Sequence, residues 1–330
     1  MRRWIAAVLV SGFFLPAANA SEETVSVQLV KSISQAPYYI ALGKGYFEQE
    51  GIKIEASDVR SALDTVPSLA TGRLDVSMGT VTAGFFNAAH GGFDLRIVAA
   101  LGIQGQVMST QPVVRKALWE DGTIRSGKDL KGRKVAINAP GDITEYFLTL
   151  ILEKYAMGMK DINETPLAFA AQLVAFTNGS IDAGFLAEPL ATVARMSGSV
   201  ALMEPDAGIG QGTITGFVFY GTKFMHERPK TARAFLRALI RAARETQGAY
   251  NKNPELASII SKETGVKLEA VENCTPYLID PNLDIAKFQA SLRNEETVQR
   301  RIGRLNYSEP LSFDTVIDAS LVHEAATSLK

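Results

Sequence analysis

Apolar and polar residues alternate along this chain with two periods, and the two periods follow each other in a regular order. Residues 24–30 and 52–56 alternate at every second position, as a half-buried strand does, and longer stretches with a helical period separate such segments. Strand-like and helix-like segments take turns through most of the chain, which predicts an α/β fold with mainly parallel sheets. Beyond Pro229 the pattern is helical.

The same periodicity gives the position of each element, and residues 102–111, with glycines and little periodicity, are interpreted as a loop. The predicted strands are 24–30, 52–56, 75–78, 95–101, 112–115, 134–138, 183–186 and 215–220. The predicted helices are 63–71, 81–90, 143–155, 173–177, 190–196, 231–250, 254–263, 284–303 and 313–326. The strand 112–115 leaves the first unit of the chain, and 215–220 is a plausible return strand.

The segment 37–55, PYYIALGKGYFEQEGIKIE, is predicted to be a helix that ends at a glycine and continues directly as a strand. Ala41, Leu42 and Phe47 form its buried side, and polar turns occur at Lys44-Gly45 and at Gln49-Glu50-Gly51. This segment is the most informative stretch of the chain, because it combines a clear structural pattern with a specific string of residues.

The first 20 residues are predicted to be a signal peptide. Arg2 and Arg3 precede an apolar run over 4–15, and Ala18-Asn19-Ala20 has the small-x-small pattern of a cleavage site. The alternative is a membrane anchor, but a run of about 12 residues is shorter than the ~20 that span a bilayer. We therefore expect a mature chain that begins at Ser21 and is free in a bacterial periplasm.

Composition excludes several other classes of protein. The formal net charge is −1, whereas a nucleic-acid-binding protein would carry a clustered basic surface. Cys274 is the only cysteine, so an exported chain has no internal disulfide, and a buried structural thiol is expected there. The three histidines, His90, His226 and His323, lack metal-ligand spacing. The sequence therefore predicts no metal, no cofactor and no catalytic residue.

Four strings in this chain resemble those of one family, the ABC-importer substrate-binding proteins for nitrate, sulfonates, taurine and thiamine-type pyrimidines. They are PYYIALGKGYFEQEGIKIE (37–55), LATGRLDVSMG (69–79), DLKGRKVA (129–136) and NGSIDAGFLAEP (178–189). The resemblance runs along most of residues 24–250, and its four strings occur in the family's order.

The resemblance implies a two-lobed periplasmic binding protein of type II, with a mainly parallel sheet flanked by helices in each lobe and a two-strand hinge. Lobe one would comprise 21–111 together with 219–330, and lobe two 112–218. It also implies a monomer that delivers a small molecule to an ABC permease and its ATPase.

Ligands of open α/β sheets bind beyond the carboxyl ends of the strands, where helix N-termini carry unpaired N–H groups. The resemblance implies that the loops at these places line a cleft. The candidate ligand-binding residues there are Ser34, Gln35, Tyr38, Tyr39, Arg60, Thr80, Thr82, Asn138, Asp142, Thr144 and Glu188.

Each candidate also has a structural interpretation. Thr80 and Thr82 can cap their helix, and Asp142 with Glu145 has capping-box spacing. Glu188-Pro189 can be a helix start, since proline suits the first helical turn. Of the adjacent Tyr38 and Tyr39, one can face the cleft while the other packs. Arg60 is equally compatible with a solvated surface position.

The candidate carboxylates Asp142 and Glu188 bear on the ligand. Two carboxylates beside a bare sulfonate or nitrate would repel it in a partly desolvated cleft. We therefore expect a ligand with a neutral or amine-bearing part, and aromatic residues near the loops suit a planar ring.

Two rival functions are considered beside the receptor. An enzyme on the same fold, of thiamine-pyrimidine or menaquinone-pathway type, is disfavoured because this chain lacks a cysteine-rich segment and a nucleophile–base grouping. A sensory receptor that reports its ligand to a membrane kinase is disfavoured because no tethered output domain or second membrane segment is found in the sequence, although a free receptor could serve both roles.

Overall fold

The computed structural model describes residues 22–203 and 209–329. The predicted signal peptide over 1–20 lies outside the described residues. The strands are β1 (Glu23–Leu29), β2 (Ile52–Asp58), β3 (Val76–Gly79), β4 (Leu95–Ala100), β5 (Gly102–Ile103), β6 (Thr110–Arg115), β7 (Lys134–Ile137), β8 (Asn163–Pro166), β9 (Ala183–Ala187), β10 (Val200–Leu202), β11 (Phe217–Gly221) and β12 (Leu278–Ile279).

Helices alternate with these strands up to β11 and dominate afterwards. They are α1 (Ala36–Gly43), α2 (Tyr46–Gln49), α3 (Val66–Ala70), α4 (Ala83–His90), α5 (Lys116–Glu120), α6 (Ile143–Glu153), α7 (Phe169–Thr177), α8 (Leu190–Met196), α9 (Thr222–Glu227), α10 (Pro229–Glu245), α11 (Pro254–Thr264), α12 (Leu268–Glu272), α13 (Gln289–Arg301) and α14 (Ser320–Ser328). Within the described ranges, none of these helices has the length and apolar character needed to cross a membrane.

The chain folds into two lobes, each built on a five-stranded sheet. Lobe one has the order β2-β1-β3-β11-β4, and lobe two has the order β10-β6-β9-β7-β8. In each sheet one strand runs against the others, β11 in lobe one and β6 in lobe two. These are the two strands by which the chain enters a lobe from the other one. The chain enters each lobe at the side of the sheet where the parallel strands end. The entering strand therefore runs antiparallel to them, which explains the mixed sheets.

The core of lobe one lies on both faces of its sheet. On one face α1, α10 and α14 pack against β1 and β3, and Phe47 and Phe235 lie there with ring centroids 4.9 Å apart. On the other face α3, α4 and α13 cover β4 and β11. Burial of each large apolar side chain contributes about 2 kcal/mol. Two covered faces explain why β3 and β11 are buried throughout.

The opening helix is divided at a glycine. Gly45 has a φ of +67°, a left-handed conformation that glycine adopts without strain, and it separates α1 from α2. The division turns Phe47 into the core while Lys44 pairs with Glu245 of α10 at 2.6 Å.

Several predicted boundaries differ from the structure, and two of the differences involve a distant strand. Residues 102–111 are not entirely loop, because β5 pairs with β12 and β6 begins at Thr110. The last helix begins at Ser320 and not at 313, because Val316 and Asp318 form main-chain hydrogen bonds to Ile97 of β4. In both cases a distant strand competes with the local preference of the chain.

The helix α13, in the C-terminal part of the chain, contacts both lobes. Leu292 belongs to the core of lobe one, whereas Val298 belongs to the core of lobe two beside α6. Just beyond α13, Arg304 pairs with the buried Glu145 of α6, and its carbonyl accepts a hydrogen bond from Asn87 of α4 at 3.0 Å. The assignment of 219–330 to lobe one alone therefore stays a prediction about how the lobes move.

Candidate functional site: the cleft between the lobes

The carboxyl ends of the parallel strands of the two sheets face each other across the molecule. The loops after β1 and β3 meet those after β7 and β9, and direct hydrogen bonds join them. The Ile33 amide donates to the Glu188 carbonyl at 3.1 Å, and the Ala83 amide donates to the Gly141 carbonyl at 2.7 Å. The structure therefore shows the two lobes in contact, with the cleft closed.

A small cavity remains between these loops. Its volume is about 20 Å³, which is room for about one water molecule. The cavity is lined by Val30, Ser32, Ser34, Gln35, Gly79, Thr80, Thr110, Ile143, Phe169, Ala187, Thr215 and Tyr277. Both lobes contribute to the wall, and none of these residues carries a charge at neutral pH. Any ligand larger than a few atoms has to hold the lobes further apart than they are here.

Three of the predicted site residues line the cavity, and all three belong to lobe one. They are Ser34 and Gln35, which lie in the first helical turn after β1, and Thr80, which follows β3. The Ser34 hydroxyl donates to Gln35 Oε1 at 2.6 Å. That bond orients the side-chain amide of Gln35 and leaves its Nε2 to donate a hydrogen bond to another group.

Thr82 lies next to this wall as a helix cap. Its hydroxyl oxygen accepts a hydrogen bond from the Phe85 amide at 3.2 Å at the start of α4. The side chain is buried and is not part of the cavity lining. Its placement matches the capping alternative, which the residue type favours.

Asn138, Asp142 and Thr144 form one hydrogen-bonded cluster at the start of α6. Asp142 Oδ1 accepts from the Thr144 amide at 2.9 Å and from the Thr144 hydroxyl at 2.6 Å. Asn138 Nδ2 donates to Asp142 Oδ2 at 3.0 Å. All three side chains are buried and point into the cluster rather than line the cavity. Asp142 is thus the N-cap of α6.

Burial raises the pKa of Asp142 to about 6, because the hydrogen bonds from Thr144 and Asn138 only partly offset the loss of hydration. Glu295 of α13 is also buried, and burial together with the charge of Asp142 raises its pKa. The lobe contact thus holds two carboxyl groups in a dry environment.

Glu188 directly precedes Pro189, the N-cap residue of α8, and is buried. Its Oε2 accepts from the Thr192 amide at 3.0 Å, and its Oε1 accepts from Gln111 Nε2 at 3.0 Å and from the Thr275 amide at 3.2 Å. Burial raises the pKa of this carboxyl, against the opposing effect of those hydrogen bonds. The carboxylate joins α8 to β6 and to the C-terminal part of the chain, and it does not line the cavity.

Tyr38, Tyr39 and Arg60 lie away from the cavity lining. Tyr38 and Tyr39 both belong to the core of lobe one, where the Tyr38 ring packs against Phe47 at 5.7 Å. Arg60 is exposed and pairs with Asp64 at 3.3 Å, while its carbonyl accepts from Asn138 Nδ2 at 3.4 Å across the lobe contact. Its main chain, not its guanidinium, takes part in the cleft.

The cavity residues that come from the hinge and from lobe two were not among the predicted site residues. Thr110 and Thr215 lie where the chain crosses between lobes, and Tyr277 precedes β12, with its hydroxyl 3.0 Å from Thr110 Oγ1. Phe169 begins α7. The candidate residues come from loops that follow predicted strands, and Tyr277 does not lie in such a loop. Its position depends on the pairing of β12 with β5.

Two sheets with facing carboxyl ends, a crossing strand in each and a cavity between them define the class of periplasmic binding proteins. The chain belongs to the NMT1/THI5-like family, whose model matches residues 32–255. Tyr277 lies beyond the matched residues, so one wall of the cavity comes from a part of the chain that the family model does not cover.

A curated relative and several solved structures are similar to this chain. The putative aliphatic sulfonates-binding protein of Bacillus subtilis is 24% identical over 303 residues, which cover 88% of this chain and 85% of that protein. The nitrate-binding protein NrtA of Synechocystis PCC 6803 is similar in structure, with a TM-score of 0.75, 19% identity, and coverage of 93% and 89%. The desulfurization enzyme DSZB shares the fold at a TM-score of 0.65 and 13% identity, with coverage of 93% and 100%.

Proposed function

We propose that this protein is the periplasmic receptor of an ABC importer and captures a small organic solute between its lobes. The observation that carries the proposal is the cavity, whose wall combines Ser34 and Thr80 of lobe one with Ile143 and Phe169 of lobe two. A ligand held by both walls is bound more tightly by the closed form than by the open form. It therefore shifts the population towards closure, which the permease can recognise.

The hinge of this motion lies at the two crossings of the chain. Thr110 and Thr215 line the cavity at these crossings, and β5 pairs there with β12. The predicted boundaries, 21–111 with 219–330 and 112–218, place the hinge at the same segments. We also propose that the protein is exported, that its leader over 1–20 is cleaved, and that it acts as a monomer beside its permease.

An enzyme on the same fold is the second candidate, since DSZB shares the architecture. The cavity of this protein offers hydroxyls, one amide and one phenol, and its described lining has no cysteine, histidine or carboxylate. Cys274 lies outside the lining, and burial raises the pKa of its thiol to about 12, which suits a structural thiol and not a nucleophile. These features favour a receptor.

A thermal-shift screen tests the proposal. The panel contains alkanesulfonates, taurine, aminopyrimidines, aromatic carboxylates and nitrate. A true ligand at 100 times its dissociation constant adds about 2.7 kcal/mol of stability. We expect at least one organic compound to stabilise the mature protein and to be recovered unchanged. Turnover of a pyridoxal- or futalosine-type substrate, or no stabilisation by any compound, would refute the receptor function.

A further inference from the structure

Two helix N-termini of lobe two, those of α6 and α8, have hydrogen-bond donors occupied by carboxylates of the same lobe, whereas α7 has no side-chain cap. At α6, the Thr144 and Glu145 amides donate to Asp142 Oδ1 at 2.9 and 3.4 Å, and the Gly141 amide donates to Glu145 Oε2 at 2.6 Å. At α8, the Thr192 amide donates to Glu188. These bonds lie within lobe two, so opening of the cleft does not break them.

Occupied donors and nearby carboxylates weaken the attraction for an anion at the N-termini of α6 and α8. Helix N-termini attract anions through unpaired N–H groups and partial positive charge, and at these two helices both are offset by Asp142, Glu145 and Glu188. What lobe two presents to the cavity instead are Ile143, Phe169 and Ala187, which are apolar.

Lobe one presents the opposite character. Ser32, Ser34, Gln35 and Thr80 line its side of the cavity with three hydroxyls and an amide, beside Val30 and Gly79, and none of these residues is charged. Two further donors, the amides of Ile33 and Ala83, bond to lobe-two carbonyls in the closed cleft and become available as the lobes part. Neutral donors of this kind match a carbonyl or sulfonyl oxygen.

We infer that the ligand is a small amphipathic organic molecule whose uncharged polar head lies on lobe one and whose apolar body lies against Ile143 and Phe169 of lobe two. This inference rests on the receptor function proposed above. The head binds first, in the open form, and the apolar wall of lobe two then closes over the body. Lobe one thus selects the ligand by the charge of its head, and lobe two selects it by its apolar body.

Isothermal titration with matched pairs tests the charge selection. The probes are 1-pentanesulfonamide against 1-pentanesulfonate and benzamide against benzoate, at pH 7, where the first member of each pair is uncharged. We expect the better uncharged probe to bind at least tenfold more tightly than its anionic partner. An anionic member that binds more tightly than its partner overturns the inference and leaves the receptor function standing. No binding by any of the four overturns the inference alone, and failure of the whole thermal-shift panel overturns both.

Substitution of the apolar wall tests the body selection. Phe169→Ala should weaken binding of the better uncharged probe at least tenfold, because the body loses its main apolar contact. The control is Val174→Ala in the same helix, since Val174 is 64% exposed and lies outside the cavity lining. Equal affinity of wild type and Phe169→Ala, with a folded variant confirmed by its thermal unfolding, contradicts the placement of the body on lobe two.

Discussion

Asp142 and Glu188 lie beside the cavity, yet their carboxylate oxygens accept hydrogen bonds from the first turns of their own helices. The sequence suggested that these groups would repel an anion directly. The structure gives a different physical reason for a similar expectation: at α6 and α8 they occupy N–H donors that an anion could otherwise use. The role of each carboxylate thus depends on which groups donate hydrogen bonds to its oxygens, and the sequence alone does not show which groups those are.

The buried carboxyl of Asp142 should make stability depend on pH. Its pKa in the folded protein is about 6, above the ordinary value of 3.8, so the folded state holds this proton more tightly than the unfolded state does. Stability therefore falls as the pH rises from about 4 to about 6, by up to about 3 kcal/mol from this group.

Asp142→Asn measures that contribution, since asparagine also caps helices well. Denaturant unfolding of wild type and variant at pH 4, 5, 6 and 7 should show the variant gaining stability relative to wild type as the pH rises. Parallel curves over this range would mean that Asp142 does not titrate there.

Glu188→Ala should lower stability without abolishing ligand binding. The substitution leaves the Thr192 and Thr275 amides and Gln111 without their buried acceptor, at a cost of about 2 kcal/mol. Thr80→Val is the contrasting variant, because Thr80 lines the cavity and should lose ligand-induced stabilisation while it unfolds near the wild-type temperature. Thermal unfolding with and without the stabilising compound separates the two; loss of the shift in Glu188→Ala would place that carboxylate in the site.

At the scale of elements, the loop before α6 controls how closely the lobes approach. Gly141 has a φ of +73°, and a Cβ built on it would lie 2.6 Å from Ala83 Cβ of lobe one. We expect Gly141→Ala to hold the lobes apart and to weaken the ligand-induced shift.

Gly132→Ala is the matched control for this loop. Gly132 has a φ of +71°, and a Cβ added there would have nothing within 4 Å, so the substitution carries the same backbone strain without a lobe contact. Small-angle X-ray scattering should give a larger radius of gyration for Gly141→Ala than for Gly132→Ala. Equal radii would show that this contact does not limit closure.

The segment after α13 joins the lobes through Arg304. Its Nε donates to Glu145 Oε1 at 2.9 Å, and its guanidinium also pairs with Glu164 at 3.1 Å. Arg304→Gln should cost about 2 kcal/mol, because Glu145 is fully buried and loses its charged partner. Arg301→Gln is the control, since Arg301 pairs with the exposed Glu153 and should change stability by less than about 0.5 kcal/mol. Similar losses in urea unfolding for both variants would contradict a special role for Arg304.

For the whole molecule, the sequence predicted the alternation of the longer strands and helices and the family resemblance, because both depend on local periodicity and short strings. It did not predict the short strands β5, β8, β10 and β12 or the place of Tyr277. A strand of two residues such as Gly102–Ile103 forms only where a partner from a distant part of the chain lies beside it. It also placed Tyr38 and Tyr39 among the candidates, although both pack in a core that α10 completes.

The arrangement of the two lobes explains how so neutral a cavity can be selective. Lobe one contributes hydroxyls and an amide, lobe two contributes apolar side chains, and the crossings contribute Thr110, Thr215 and Tyr277. No single lobe holds a complete site. The proposed function therefore couples binding to closure, and this coupling is its central claim.

A crystal structure of the mature protein with the most strongly stabilising compound tests that claim most directly. We predict density for the compound between the lobes, with its polar head within hydrogen-bond distance of Gln35 or Thr80 and its body against Phe169. Density confined to the surface of one lobe, or a chemically converted compound in the cleft, would contradict it.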